Sequence, residues 1–511
     1  GVINSDLAVI DLTTGYTYDG KPVAPSFWGN NASWATAGYF ARVNYDYDER
    51  YLFEANIRYD GSSRFRAENR WAWFPSVSAG WNIAKEPFWE SASRYVNTLK
   101  LRMSYGSLGN QNIGNWYPTY QKMGVYINNG GWLQDGKATN TAYSPELISS
   151  SLTWETIRSY NLGLDLGAFN NRLTSSFELY SRYTTNMIGP AQELPSVLGA
   201  SVPRTNNTDL RTYGFDFEVQ WKDNLDCGLF YGIRFILSDN QTEILRYPND
   251  SKLLMTNGIY SYYPGSHVGD FWGLKTLGIA KTDQEMKAHL ATIPHGGQSW
   301  LGTDWRAGDI MYADLDGNGV ISMESGTLAD HGDLIKLGND QPRFQFGLDL
   351  NASWKGFDMR VFFQGVGKRD FWPGYVAFWA SSNQNIWYML GFEEHLDYFR
   401  NTPSGDLDVN LDSYYPRPLL NAKNQYMQTK YLQDASYIRL KNFTFGYTIP
   451  QKYTQRIKVA NLRLFFTGEN LWTGTRLSSV FDPEGINGND KISGIGYPIM
   501  KTWACGLTIT L

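Results

Sequence analysis

Hydrophobic and polar residues alternate one by one along most of this chain. Between positions 50 and 60, aromatic and aliphatic side chains fall on one face, with Glu54 and Arg58 on the other. A period of two residues is typical of a β-strand whose two faces meet different surroundings. Positions 39–47 alternate in the same way, and only a tight Asp48–Glu49 connection follows them. The two segments are therefore predicted to form an antiparallel hairpin.

The same alternation recurs up to the C-terminus and predicts about thirteen strands of about ten residues, the length that crosses a bilayer at a tilt. Short and long connections between these strands alternate without exception. The short ones fall near 47–50, 85–96, 167–171, 222–228, 355–356 and 450–457. The long ones are 61–70, 109–151, 186–210, 241–341, 368–429 and 473–496.

This alternation of loop lengths places every long loop at one end of the sheet. Outer-membrane barrels have long extracellular loops and short periplasmic turns, whereas a soluble β-sandwich or propeller has no reason for such a division. The faces opposite the apolar ones carry charges, including Glu178, Asp216 and Arg234. An arginine or lysine facing lipid at the midplane costs about 2–4 kcal/mol, so these faces are expected to line a polar lumen. So many inward charges indicate a wide barrel.

Composition excludes other classes. The chain has 511 residues, of which 42% are hydrophobic, 16% are aromatic and 50 are glycines. No run of about 18 apolar residues exists, which excludes a helical membrane protein, and the hydrophobic content excludes general disorder. A formal net charge of −5 argues against nucleic acid, which requires a basic field. Two cysteines do not make a disulfide scaffold.

The predicted fold is all-β, a transmembrane antiparallel up-and-down β-barrel. An odd number of strands cannot close such a barrel when both chain ends lie on the periplasmic side. Counting back from a periplasmic C-terminus places Gly1 in an extracellular loop. We therefore expect residues 1–511 to be the C-terminal portion of a larger barrel, with the first strands upstream.

Several segments of the chain resemble the SusC/RagA-like TonB-dependent transporters of Bacteroidetes outer membranes. No single one of them is specific, but together they are. They are positions 41–47 (ARVNYDY), 58–65 (RYDGSSRF), 74–81 (FPSVSAGW), 101–110 (LRMSYGSLGN), 205–207 (TNN), 437–442 (YIRLKN) and 469–471 (ENL). The family usually ends in Phe, whereas this chain ends in Leu511.

The resemblance implies a barrel of about 22 strands closed by an N-terminal plug, both the plug and the first strands lying outside this chain. It also implies active import of an oligosaccharide or oligopeptide across the outer membrane, energised by TonB through the plug. A SusD-like surface lipoprotein would help to capture the ligand. The alternatives are a passive porin, or a soluble or surface-attached glycan-binding β protein or glycosidase.

One loop segment resembles a calcium-binding loop. Asp314, Asp316 and Asn318 supply oxygens at positions 1, 3 and 5, and Gly319 stands at position 6. The backbone carbonyl of Val320 and a final carboxylate complete the predicted set. Glu324 stands one residue before the expected place of that carboxylate. The alternative is a cluster of Asx turns stabilised by local hydrogen bonds.

The loop at 368–429 combines aromatic rings with amide side chains, which suits the apolar faces and hydroxyl edges of sugars. The same residue types also suit the headgroup region of a membrane or a partner protein. A tryptophan in the 109–151 loop has the same ambiguity. The candidate substrate-binding residues are Trp372, Trp379, Asn383, Asn385, Trp387, Tyr388 and Trp116.

Catalytic signals are weak in this sequence. The five histidines show none of the spacings of zinc enzymes. Adjacent carboxylates such as Glu393 and Glu394 could serve glycoside hydrolysis, but acidic loops produce such pairs by chance. No catalytic residue is assigned, no cofactor is predicted beyond the candidate Ca²⁺, and the protein is not expected to be an enzyme.

Overall fold

Thirteen long strands form one antiparallel sheet in the computed structural model of the chain. The structure describes residues 33–510, apart from 113, 115, 122, 128, 143–144, 146, 191–202, 257–258, 381–390, 487–495 and 498. In chain order the strands are β1 Thr36–Tyr47, β2 Tyr51–Ser62, β3 Trp71–Asn82, β4 Val96–Asn110, β5 Glu155–Ala168, β6 Leu173–Ile188, β7 Asn206–Asn224, β8 Phe230–Arg246, β9 Arg343–Trp354, β10 Phe357–Lys368, β11 Tyr437–Thr448, β12 Asn461–Thr475 and β13 Thr502–Thr510.

Each of these strands pairs with the strand that comes next along the chain. The order of the sheet is therefore the order of the sequence, which is an up-and-down meander. Every predicted short connection joins two strands at one end, and every predicted long connection joins two at the other. The predicted strand number, direction and loop alternation are confirmed.

The tightest connection of the sheet is the two-residue turn between β9 and β10. Trp354 pairs with Phe357, and both intervening residues have positive φ, 50° at Lys355 and 91° at Gly356. Two left-handed residues in succession define a type I′ turn, whose twist matches that of the flanking strands. The Lys355–Gly356 turn therefore fixes the register of this hairpin, at the end of the sheet that has the short connections.

The two faces of the sheet differ as the alternation predicts. Large apolar side chains such as Leu164, Met359 and Leu507 are exposed on one face, along strands whose pairing is complete. In water such a surface would be an unusually large apolar patch, whereas hydrocarbon is a suitable solvent for it. Buried aromatic residues lie mainly in the loops rather than between stacked sheets. This arrangement excludes the β-sandwich alternative.

Several strands extend further than the alternation indicates, and β7 and β8 are the longest of those described. β7 has 19 residues and β8 has 17, whereas about 9–11 tilted residues cross the hydrocarbon. β8 continues to Arg246 through residues such as Thr242 and Glu243. Strand pairing beyond the bilayer requires no apolar face, so the hydrophobic pattern ends before the hydrogen-bonded ladder does. The predicted loops 186–210 and 241–341 are correspondingly shorter in the structure.

The long loops contain secondary structure of their own. In the part of the chain that the structure describes, three α-helices lie in the connections: α1 Asp283–Thr292, α2 Val376–Trp379 and α3 Gln451–Thr454. Among the described residues, no helix has both the length and the apolar character needed to cross a membrane. The short strand pairs are Val125–Tyr126 with Thr141–Ala142, Leu133–Gln134 with Lys137–Ala138, Met255–Thr256 with Ile259–Tyr260, Asp270–Leu274 with Leu334–Asn339, Thr276–Ile279 with Ile310–Tyr312, and Asp370–Phe371 with Gln433–Asp434.

These loops have a common hydrophobic core, which we call the loop core. Its buried members come from the β8–β9, β10–β11 and β12–β13 connections, and they include Tyr312, Phe378, Tyr431 and Phe481. Backbone hydrogen bonds link two of the connections directly, as between Leu274 and Met427. The long connections therefore form one packed structure at the extracellular end of the sheet.

Candidate functional site

The inner wall of the sheet carries a ladder of ion pairs. Arg102 donates two hydrogen bonds to Asp165, at 2.8 and 3.0 Å, and Arg234 makes a bidentate pair with Glu218 at 2.8 and 2.7 Å. Their side chains stay between about a third and a half exposed. Pairs of this exposure contribute little stability. They instead give the lumen a hydrated, charged surface of mixed sign.

The last extracellular connection is attached to this wall by charge. Arg439 on β11 is almost fully buried and donates to both carboxylate oxygens of Asp482, at 2.9 and 3.0 Å. Glu484 accepts from Lys441 at 3.0 Å and lies 3.2 Å from a second nitrogen of Arg439. The sequence predicted a long loop here, but no spacing signal connects the loop acids to the basic residues of the strand.

Two of the predicted ligand-binding tryptophans lie in the loop core. Trp372 is 3% exposed and Trp379 is 7% exposed. Trp379 packs on Tyr431 with 4.8 Å between ring centroids, and its indole nitrogen donates to the carbonyl of Pro373 at 2.8 Å. Both rings pack in the apolar interior of the loop core, an environment that the sequence analysis did not consider, and their role in ligand binding stays a prediction.

The loop core also contains a buried charged centre at Asp309. This carboxylate accepts bonds from Arg417 at 2.7 and 2.8 Å and from Asn424 at 2.9 Å, and Lys423 lies 2.9 Å away. Burial alone would raise its pKa, but the hydrogen bonds from Arg417, Asn424 and Lys423 outweigh burial and lower it. The pair thus joins the β8–β9 connection to the β10–β11 connection in the charged form.

The predicted calcium loop adopts a compact, strongly hydrogen-bonded turn. Asp314 accepts from the backbone nitrogens of Gly317 and Gly319 at 2.7 and 2.9 Å. Asn318 accepts from Val320 at 2.9 Å and donates to Glu324 at 2.6 Å. These are the local bonds of an Asx-turn cluster, and they also turn several oxygens towards one point.

Asp333 is an additional carboxylate of this loop that sequence spacing did not reveal. Oxygens of Asp314, Asp316 and Asp333 all lie within 4.8 Å of one another. Asp333 is fully buried, and burial, with the charges of Asp316 and Asp314, raises its pKa despite two backbone hydrogen bonds. Chain folding rather than loop spacing brings Asp333 to Asp314 and Asp316.

We propose that a hard cation such as Ca²⁺ binds this cluster, because three crowded carboxylates repel one another unless a cation offsets their charge. Calcium is expected to raise the melting temperature of the intact protein, and Asp333→Asn to abolish that increase, as measured by a thermal-shift titration. Asp330→Asn, at an exposed neighbour outside the cluster, is the matched control and should retain the response. An absence of any calcium effect on the unmodified protein would contradict the proposal.

Trp116 is exposed to solvent, and its ring packs against an arginine. Its ring stacks on Trp34 with 5.6 Å between centroids and 19° between planes, and the two side chains are 42% and 43% exposed. The guanidinium carbon of Arg64 lies 4.7 and 4.8 Å from the two rings. Arg64 is itself held by the carbonyl of Gln111 at 2.9 Å. Three segments distant in sequence meet here, so spacing could not reveal Trp34 and Arg64.

The remaining aromatic-loop predictions lie outside the described residues. These are Asn383, Asn385, Trp387 and Tyr388. Within the part of the chain that the structure describes, Trp116 is therefore the predicted ligand-binding residue whose ring remains accessible. Its role in binding stays a prediction.

Comparison with protein families gives a match over most of the chain. A family model described as "TonB dependent receptor-like, beta-barrel" matches residues 4–471. TonB-dependent receptor P3 of Formosa agariphila is 28% identical over 502 residues, covering 92% of this chain and 45% of the relative. TonB-dependent receptor SusC of Bacteroides thetaiotaomicron is 26% identical over 476 residues, covering 92% of this chain and 43% of the relative. The chain thus spans less than half the length of these relatives.

Solved structures give a matching fold. The structure of the RagAB peptide transporter superposes with a TM-score of 0.69 at 23% identity, covering 93% of this chain and 48% of that one. The "open-open" state of the RagAB peptide importer gives the same TM-score at 21% identity. At these identities the likeness establishes the fold alone.

Proposed function

Because this chain belongs to the TonB-dependent receptor-like β-barrel family, we propose that it forms the wall and extracellular loops of an active importer in the outer membrane. The observation that carries the proposal is the division of the sheet into an apolar outer face and an ion-paired inner face. Such a wall separates hydrocarbon from an aqueous path. The loop core above it would shape the entrance to that path.

The proposal includes further strands and a plug supplied by the rest of the full-length protein. Within the described residues, β1 and β13 each pair on one side only. An unpaired strand edge in hydrocarbon leaves backbone groups without hydrogen bonds, each costing several kcal/mol. Additional strands should therefore complete the ring, and a plug would connect ligand entry to TonB.

A SusD-like surface lipoprotein is the partner that we propose for the loop core, and an oligosaccharide or oligopeptide is the ligand. SusC of Bacteroides thetaiotaomicron and the RagAB peptide transporter are the relatives that support this choice. The exposed tryptophan pair suits either ligand, because an indole face stacks on a sugar ring or on a peptide side chain. Mass spectrometry of ligand purified with the intact complex would identify the class, and pull-down would identify the lipoprotein.

Trp116→Ala is expected to weaken ligand uptake about two- to tenfold in apparent affinity, since an aromatic contact contributes about 0.5–1.5 kcal/mol. The measurement is uptake of the co-purified ligand by cells that carry the intact transporter, with and without a protonophore. Trp132→Ala is the matched control, because Trp132 is an exposed tryptophan of the same loop, outside the stacked pair.

Uptake that stops when the proton-motive force is collapsed supports active import. Uptake that continues unchanged would contradict it and favour a passive porin. Chemical change of the ligand by purified protein would favour a glycosidase instead.

A further inference from the structure

The outer face of the sheet contains a groove that runs across the strands, from Ala79 near the periplasmic end of β3 to Arg343 at the extracellular start of β9. The groove has a volume of about 810 Å³ and crosses β3 to β9. Its floor includes Ala79, Met103 and Leu162. Met103 is directly opposite Ala79 on one side and Leu162 on the other. Short side chains create the depression: Ser181 stands between the much larger Tyr160 and Tyr213 in the register of β5, β6 and β7.

The charges in this groove do not balance. Asp239, opposite Phe215 and therefore on the apolar face, is neutralised by Arg343 through two bonds of 2.5 Å. Arg211 is the remaining charged residue of the lining. It donates to Ser181 at 3.3 Å, and its guanidinium lies 5.6 Å from the ring centre of Tyr183 and 5.0 Å from that of Tyr213.

No carboxylate of the described residues lies within ion-pair distance of Arg211. Glu243 is the nearest candidate in the register, directly opposite Arg211 on β8, yet the two form no salt bridge. The lining of the groove thus retains one net positive charge, at the extracellular margin of the apolar face, where β7 and β8 leave the bilayer. An unpaired arginine at the membrane surface attracts anionic lipid headgroups.

The position of Arg211 specifies what can supply the counter-charge. It lies near the start of β7, just after a long connection, and so at the extracellular end of the strand. The surrounding tyrosines are the residue type that occupies the headgroup region of a membrane. The molecules available to this face are therefore lipids of the outer leaflet, whose phosphates are anionic and whose acyl chains fit an apolar groove.

We propose that this groove is a specific binding site for an outer-leaflet lipid with a phosphorylated headgroup. The phosphate pairs with the free guanidinium nitrogens of Arg211, and one acyl chain lies along the floor formed by Ala79, Met103 and Leu162. The site depends on the membrane position of this face and not on the ligand that the protein imports. Bound lipid would cover the junction of β5, β6 and β7 and would stabilise the packing there.

Native mass spectrometry of the intact, delipidated protein tests this site with dimyristoylphosphatidylglycerol as the probe. Dimyristoylglycerol, which has the same chains and no phosphate, is the comparison ligand. We expect the unmodified protein to retain the phospholipid and not the diacylglycerol. Arg211→Gln should weaken retention about tenfold, because it removes a charge-assisted contact, and Arg211→Lys should largely preserve it.

Ala79→Trp fills the floor and is expected to reduce retention as Arg211→Gln does. Leu507→Trp enlarges another exposed outer-face residue, on β13 and outside the groove lining, and should leave retention unchanged. Equal retention by Arg211→Gln, Ala79→Trp and the unmodified protein would overturn the proposal. So would equal binding of the two lipids. Loss of self-association in Ala79→Trp with unchanged lipid retention would instead assign the groove to a second protein molecule.

Discussion

Replacing Asp309 with asparagine is expected to open the extracellular loop core. The substitution keeps the shape of the side chain and removes its charge, which leaves Arg417 and Lys423 without their shared counter-ion. The Lys423 side chain is 3% exposed, so water cannot replace the lost carboxylate. Removing one partner of a buried ion pair costs about 3–5 kcal/mol of stability. That is enough to separate the two connections that the pair joins.

Hydrogen exchange of the backbone amides at 310–312 measures this opening directly, because the strand Ile310–Tyr312 lies against the pair and is fully buried. Asp412→Asn is the matched control. Asp412 pairs with Lys281 and links the same two connections, but both side chains are largely exposed. Exchange in the control should stay close to that of the unmodified protein. If the amides of Asp309→Asn are as well protected as those of the unmodified protein, the ion pair does not hold the loop core together.

Acidification should reduce the protection of the loop-core amides, as Asp309→Asn does. The folded-state pKa of Asp309 is lowered by the hydrogen bonds it accepts. Its contribution is therefore complete above the pKa of the unfolded state, and it is lost as pH falls through the lower, folded value. Amides at 310–312 should lose protection in that acidic range in the unmodified protein, and Asp309→Asn should remove this pH dependence.

The architecture of the sheet was predictable because its signal is local and repeated. Each strand must present one face to lipid and one to the lumen, so a period of two recurs in segments such as β2 and β8. The alternation of loop lengths then determines which end each turn occupies. The exact strand ends were less predictable, because β7 and β8 continue beyond the bilayer, where polar residues pair equally well.

The loops were predictable as long and aromatic, but not in how they pack. Trp372 and Asn385 lie in one aromatic segment, and nothing in the pattern separates a core ring from a ligand-binding residue. Trp372 is buried in the same loop core as Phe481, which comes from another connection. Asp333 likewise joins Asp314 only through folding of the chain. Contacts between distant segments leave no periodic signature.

Phe235→Arg is expected to destabilise the barrel strongly, and Ile236→Arg hardly at all. These neighbours on β8 point to opposite faces: Phe235 pairs with Leu348 and Val219 on the apolar face, and Ile236 pairs with Gly347 and Glu218 on the charged face. Both changes replace a large apolar side chain with the same cation. An arginine that faces lipid near the midplane costs about 2–4 kcal/mol, whereas one beside Glu218 in the lumen remains hydrated.

The free energy of unfolding of these two variants in lipid vesicles, with the intact protein as reference, tests the division of the sheet most directly. If the apolar face contacts lipid, the free energy of unfolding should fall by about 2–4 kcal/mol in Phe235→Arg. It should change by no more than about 0.5 kcal/mol in Ile236→Arg. Equal losses at the two positions, or a larger loss at Ile236, would contradict the assignment of hydrocarbon to one face and water to the other.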